Sequence, residues 1–447
     1  MDYFRNLYIK DPSFKYLGQK DPNFAPFLDS KNQLDFNDPA AVMQLTKTLL
    51  KLDYGLKIDL PPDRLCPPVP NRHNYILWLS SLLSSSSYQS HPHSHPSSSS
   101  NQKTISSRPI IGLDIGTGAS AIYPLLGCIQ HPSWSFIATD IDAHSISFAQ
   151  RNIHLNHLQD RITLLHRTPD QPLIPFDVDN NQRIDFTMCN PPFYSSPSDL
   201  LSSAAKKSRP PLTACTGAPV EMVCAGGEVA HISRMIDESL VLREKVTWYT
   251  SMVGKVTSLE TVVERLRREK INNYAVTELV QGKQTKRWAV AWSFGGMRAG
   301  ETEGRGVSGV WKKLLPPVVR MEVGVWKDSK EDKVGKVVER VKKTVEGLEL
   351  MSWEWSGERM RGVGRARGNV WSRAWRRKRE REMKAEEEEK GDGKGTKEEE
   401  ECRLGFEVVI EVGKGGETKV VLLWREGHDQ GVFESLWGYL QGKLKDI

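Results

Sequence analysis

From Pro109 onward the chain alternates short, continuously apolar runs with segments of helical period, and this alternation limits the fold more than any other feature. "PIIGLDIG" precedes helical "ASAIYPLLGCI", then come "SFIATDID", helical "HSISFAQRNIHLN", and the runs "RITLLHR" and "RIDFTMCN". Strands that are apolar at every position need cover on both faces, which parallel strands joined by helices provide. "KVTWYTSMVG" and "KRWAVAWSF" read as further strands on either side of a helix, "SLETVVERLRREKI". Residues 109–298 are therefore expected to form one doubly wound α/β domain.

The flanks read differently. Residues 1–80 predict an N-terminal helical module: Asp38 as N-cap, Pro39 at the first helical position, Val42, Leu45, Leu49 and Leu52 at helical spacing, and Gly55 as the stop. Residues 84–108 are Ser- and His-rich with no apolar period, the composition of a disordered loop. His91, His93 and His95 in that tract suit adventitious metal contact better than a purposeful site. "AGETEGRGVSG" (residues 299–309) reads as a linker, and residues 310–447 as a small accessory α+β domain with a charged insertion at 376–403.

Composition excludes more than it assigns. No run approaches the roughly 20 apolar residues that span a bilayer, and the mixed-charge start "MDYFRNLYIKDPSFKYLGQK" is not a signal peptide. Six scattered cysteines without a CxxC pair argue against a zinc site and a disulfide framework. The net charge of +6 by itself says little about a polyanionic partner. "WRRKRERE" (Trp375 to Glu382) is a dense basic block that suits nuclear import, a nucleic-acid contact or a solvated helix face.

Two motifs carry chemistry. In "LDIGTGAS", at a strand-to-helix turn, Gly116 and Gly118 let the backbone approach a ligand closely, and the next helix offers free N–H groups. "ATDID" puts Asp140 at the end of the following strand, where a doubly wound fold places an acid for ribose hydroxyls. No third glycine completes GxGxxG and no GK[ST] follows, so neither a dinucleotide fingerprint nor a P-loop is present. The second motif is "IDFTMCNPPFY", an apolar strand that stops at Asn190, Pro191, Pro192 and Phe193. Proline donates nothing to the ladder, so the strand must end there. A polar amide and an aromatic ring at that corner suit a flat ligand, and a plain Pro-rich turn after a core strand is the alternative.

D-x-G-x-G, an acid after the second strand and N-P-P-F after the fourth resemble the class I, Rossmann-like S-adenosylmethionine-dependent methyltransferases. More narrowly, N-P-P-[FY] resembles those that methylate a nitrogen conjugated to a planar system. The blocks "PNRHNYILWL", "IGLDIGTGASAIYPLLG", "CNPPFY", "AGGEVAHISRMIDES", "WYTSMVGK" and "QGKQTKRWAVAWSF" extend the match over roughly residues 1–295. Together they are similar to the eukaryotic enzymes that modify adenine N6 in U6 small nuclear RNA and to bacterial relatives acting on large-subunit ribosomal RNA. The resemblance implies a seven-stranded, mostly parallel sheet, an RNA-binding module at 1–80, and S-adenosyl-L-methionine as methyl donor. It also implies an RNA partner, no resident metal, no membrane, and a nuclear or also cytoplasmic location. Carried over residue by residue, Arg72, Asp114, Gly116, Gly118, Ser120, Asp140 and Asn190 would hold the donor, with Arg72 at its carboxylate. Asn190 to Phe193 would hold and aim the target amine, Phe193 by stacking on the base. Arg72 as a surface arginine and Asp140 as a helix N-terminal acid are the plainer alternatives.

Three departures stand out: Asn37 in "DFNDP" where the family has an ionic residue, "RTPDQPLIP" in place of a Lys-containing loop, and "QGKQTKRW", one residue longer than the family's motif. They put loop gating, and Thr168 as a donor contact, in question. Cations expected along an RNA groove are Arg5, Lys10, Lys15 and Lys20, then Lys206, Lys207 and Arg209, then Arg265, Arg267, Arg268 and Lys270, and Lys283 to Arg287. Trp353, Trp355, Trp371 and Trp375 near "RMRGVGRARG" suggest RNA binding by the C-terminal domain. Protein glutamine N5-methylation and a non-catalytic RNA-binding scaffold are the competing functions.

Overall fold

The computed structural model describes residues 2–88, 109–176, 183–205, 217–281, 285–327, 331–388, 401–413 and 417–445. Most of the Ser/His-rich loop expected at 84–108 lies outside these residues, as do Lys206, Lys207, Arg209 and Lys283. The chain forms two compact units, one built from residues 1–84, 88–295 and 303–315, the other from 85–87, 296–302 and 316–447.

The first unit begins with helices α1 (Asp2–Asn6), α2 (Phe14–Lys20), α3 (Pro39–Tyr54) and α4 (Val69–Ser85). The Asp38 side chain accepts from Ala40 N at 2.9 Å, and Gly55 ends α3 in the left-handed region (φ 68°), as the sequence signals. The sheet then follows: β1 (Ile110–Ile115), α5 (Ile122–Gln130), β2 (Trp134–Asp140), α6 (Ala143–Leu155), β3 (Ile162–His166) and β4 (Ile184–Cys189). After short helices α7 (Pro197–Ala205) and α8 (Pro219–Met222) come α9 (Gly227–Leu242), β5 (Val246–Val253), α10 (Val256–Arg268), β6 (Tyr274–Gln281) and β7 (Thr285–Trp292). α11 (Glu301–Gly304) and β8 (Arg305–Gly306) close the series.

Strand order is β3-β2-β1-β4-β5-β7-β6-β8. The first five strands in that order are parallel, while β7 runs antiparallel to both β5 and β6. All six residues of β4 are buried, including Asp185, which accepts from Ile111 N, and Thr187, which bonds Thr250, as a central strand covered on both faces requires. The expected seven strands become eight among the described residues. The extra one, β8, pairs Arg305 and Gly306 with Val276 and Thr277. It occupies part of the stretch 299–309 expected as a linker, and 303–315 belongs to the first unit. A two-residue strand bonds through its backbone alone, so no side-chain period announces it.

The second unit holds β9 (Arg320–Trp326), α12 (Glu331–Glu346), β10 (Ser352–Ser356), β11 (Arg361–Ala366), α13 (Arg373–Glu388), β12 (Leu404–Val412), β13 (Thr418–Glu426) and α14 (Gln430–Leu444). Its five strands, ordered β10-β11-β12-β13-β9, pair antiparallel throughout. Val337, Val341 and Val345 of α12 and Phe433, Leu436 and Leu440 of α14 share one core with the sheet. Among the described residues no helix is long and apolar enough to cross a membrane.

Candidate active site

At the carboxyl ends of β1, β2 and β4, where open α/β sheets bind ligands, lies a cavity of about 320 Å³. Its size is in the range of small-molecule sites, roughly 300–1,000 Å³. One wall is the turn after β1. Gly116 and Gly118 both adopt positive φ (73° and 64°), and a side chain on Gly116 would point into open space. The turn is held from β2: Thr139 O accepts from Gly116 N and Thr117 N at 2.9 Å, and Asp140 Oδ2 accepts from Gly118 N at 2.8 Å. Asp140 Oδ1 accepts from Asp142 N at 2.9 Å. Burial raises the Asp140 pKa, against the pull of those backbone donors. The backbone N–H groups of Gly118, Asp142 and Ile141 together hold this carboxylate on the cavity wall.

Of the residues singled out in sequence, Arg72, Gly116, Gly118, Ser120, Asp140, Asn190 and Pro192 line this cavity, together with Thr168. Asp114 does not; it is fully buried behind the turn. Burial pushes its carboxyl up to about 7, opposed by the Thr117 hydroxyl and Arg72 and reinforced by Asp140. Arg72 is no surface arginine. It is 6% exposed, donates to Asn71 Oδ1 at 3.2 Å, and stands 5.5 Å from the Tyr123 ring. A buried guanidinium on the wall of a cavity is a ready partner for a carboxylate.

The opposite wall is the corner after β4. Asn190 has a buried amide oxygen with no hydrogen-bond partner among the described residues. Such a group costs about 1–3 kcal/mol when left unpaired, a penalty that a donor entering the cavity relieves. Pro191 is buried, and Phe193 does not line the cavity. The Phe193 ring packs where a Gly254 side chain would be, with the Arg287 guanidinium 5.5 Å from its centre. The corner is braced from behind. Tyr194 N donates to Met222 O and Cys224 N to Tyr194 O, both at 3.0 Å. Glu228 accepts from Gly254 N at 2.6 Å and Lys255 N at 3.2 Å. Burial lowers the Arg287 pKa, and the nearby Arg72 lowers it further.

The cations expected along a groove divide. Arg265 bonds Asp237 and Ser233 O, and Arg267 bonds Tyr274 Oη, Lys313 O and Leu315 O, so both serve the packing of α10. Arg268 and Lys270 are exposed. Sequence reasoning missed Tyr123, which reads as an ordinary core aromatic, and Glu221 and Glu228, whose partners are distant in the chain.

The comparisons with known proteins agree with this geometry. A family described as RNA methyltransferase matches residues 3–296. The U6 small nuclear RNA (adenine-(43)-N(6))-methyltransferase of Schizosaccharomyces pombe is 42% identical over 266 residues, 60% of this chain and 63% of that protein. The RNA N(6)-adenosine-methyltransferase METTL16 of Mus musculus is 40% identical over 299 residues, 65% of this chain and 51% of that protein. The chain thus spans between half and two thirds of the length of these relatives. Among solved structures, the human METTL16 catalytic domain in complex with a MAT2A 3'UTR hairpin aligns with a TM-score of 0.56 at 37% identity, covering 65% of this chain and 94% of that one. The N-terminal domain of human METTL16 in complex with SAH gives 0.51 at 36% identity, covering 65% and 97%. With two thirds of its length matched by that family and the cavity at its strand ends, the chain belongs to the RNA methyltransferases.

Proposed function

We propose that the protein transfers a methyl group from S-adenosyl-L-methionine to the exocyclic N6 of an adenine in a structured RNA, with U6 small nuclear RNA as the first substrate to test and the nucleus as its place of action. The observation that carries this is the unpartnered amide oxygen of Asn190, on the wall of a cavity whose other wall is the glycine turn. The relatives named above act on adenine N6 in RNA, which favours this over protein glutamine methylation.

The residues fit the donor. Gly116 and Gly118 leave the turn open to close approach, Asp140 has acceptor capacity for ribose hydroxyls, and buried Arg72 is placed for a carboxylate. Asp114 behind the turn and Ser120 on the wall complete the set. When bound, the donor supplies an electrophilic methyl on a positively charged sulfur. Asn190 Oδ1 and the Pro191 carbonyl would each accept one N–H of the amine, which localises its lone pair and fixes its direction. Alignment to about 3–3.5 Å is what such positioning contributes. Phe193, steadied by Gly254 and Arg287, would stack on the base, a contact of about 1–3 kcal/mol. An adenine must leave any stack to reach the corner, so an unpaired or bulged base suits it.

The test is transfer of labelled methyl from S-adenosylmethionine to U6-type RNA, followed by nucleoside digestion. Label in N6-methyladenosine is expected. Label in protein, or none in RNA, removes the reading.

A further inference from the structure

Glu221 lines the cavity but has no part in the mechanism above. It sits in α8, on the segment that returns to the sheet after the catalytic corner. Its Oε2 accepts from Leu65 N and Ala218 N, both at 2.9 Å, which fixes the carboxylate between two chain segments. Its Oε1 lies 3.6 Å from where a side chain on Gly118 would begin, over the glycine turn. Asp140 holds the same glycine through its N–H. Two carboxylates therefore flank Gly118. Burial raises the pKa of each, and the nearby Asp140 raises that of Glu221 further.

We propose that Glu221 is a second acceptor for the vicinal hydroxyls of the donor's ribose, sharing the diol with Asp140. The inference rests on the methyl-donor reading. Its chemistry is simple: a diol brings two O–H donors, Asp140 already accepts from the backbone at Gly118, Asp142 and Ile141, and Glu221 Oε1 adds an acceptor beside it. Because Met222 O and Cys224 N bond Tyr194, the same contact ties ribose binding to the catalytic corner.

The experiment measures, by calorimetry, binding of S-adenosylhomocysteine and its 2'-deoxy and 3'-deoxy analogues to the full chain and to Glu221→Gln. Glutamine keeps an oxygen for Leu65 N and Ala218 N, so the fold is retained; the melting temperature checks this. The parent is expected to lose about tenfold or more in affinity on removal of either hydroxyl, the scale of a hydrogen bond to a charged group. Glu221→Gln is expected to weaken the ribo ligand about tenfold, yet leave one deoxy analogue, the one lacking the hydroxyl that Glu221 holds, unchanged. Equal weakening of all three ligands makes Glu221 a clamp of the fold and overturns the proposal, as does no weakening. Should glutamine lower the melting temperature, Glu221→Asp, shorter by one methylene, is put through the same comparison with the same criteria. A parent that binds no S-adenosylhomocysteine overturns the methyl-donor reading and this inference with it.

Discussion

Two regions of the chain carry the same sequence signal, aromatic rings beside cations, and use it in opposite ways. At the corner after β4, Phe193 is half-buried with Arg287 near its ring, next to a cavity with an unpaired amide oxygen. In the second unit, Trp353 lies over Gly362 and Phe406 over Gly364, so the glycines of "RMRGVGRARG" make room for rings on neighbouring strands. Trp371 is buried, and Trp353, Trp355 and Trp375 pack against the same core. Arg361 pairs with Glu407 at 3.1 Å and Arg365 with Glu426 at 3.0 Å. These four tryptophans and the two arginines hold the sheet together, which accounts for the aromatic and basic signal by packing; RNA binding by this unit stays a proposal. Position decides the use. Rings on alternating strand residues meet their own sheet, whereas a ring after a proline break has left the ladder.

The largest test of that contrast is Trp371→Ala. Removing a buried aromatic costs about 3–5 kcal/mol, read as a lower denaturant midpoint for the second unit, while the first unit's affinity for S-adenosylhomocysteine is expected to hold. A midpoint within error of the parent would return Trp371 to the list of RNA contacts. Asn190→Ala should do the reverse. It is expected to lower kcat for methyl transfer by about 100- to 1,000-fold, the scale for losing one positioned polar group at a reacting centre. Donor binding and melting temperature should stay near the parent's. Equal turnover would remove the corner from the mechanism. Phe193→Ala comes next, at about tenfold or more in kcat/KM, from stacking of about 1–3 kcal/mol. An unchanged value would leave Phe193 as packing for Gly254.

How much of this could be read in the sequence follows from how local each signal is. The parallel strands are short, mostly apolar runs, and the glycine turn and N-P-P-F corner use residues whose backbone chemistry is special on its own. The strand β6 carries a weak signal because "YAVTELVQ" places Glu278 inside a short run, and β8 carries none because it pairs through backbone only. Glu221 was invisible for a different reason. Its partner Leu65 is 156 residues away, and only folding brings the two together. The same holds for Arg72, whose burial comes from Tyr123 and Met252.

The cations of α10 give the smallest effect and the finest test of the contrast, because neighbours in sequence are expected to differ. Arg265 and Arg267 end on protein acceptors, so their donors are engaged before any RNA arrives. Arg268 and Lys270 are exposed, which on the RNA reading proposed above leaves them open to phosphate oxygens. Each phosphate contact contributes about 0.7–0.9 to the slope of log affinity against log salt. Replacing Arg268 and Lys270 with alanine should therefore flatten the slope by about one or two and leave the melting temperature alone. Arg265→Ala should leave the slope unchanged and shift stability by about 1 kcal/mol, since Asp237, its partner, is largely solvent-exposed. If Arg265→Ala instead flattens the slope as much as the double variant does, the ion pair opens on binding, and pairing within the protein no longer separates structural cations from those that meet RNA.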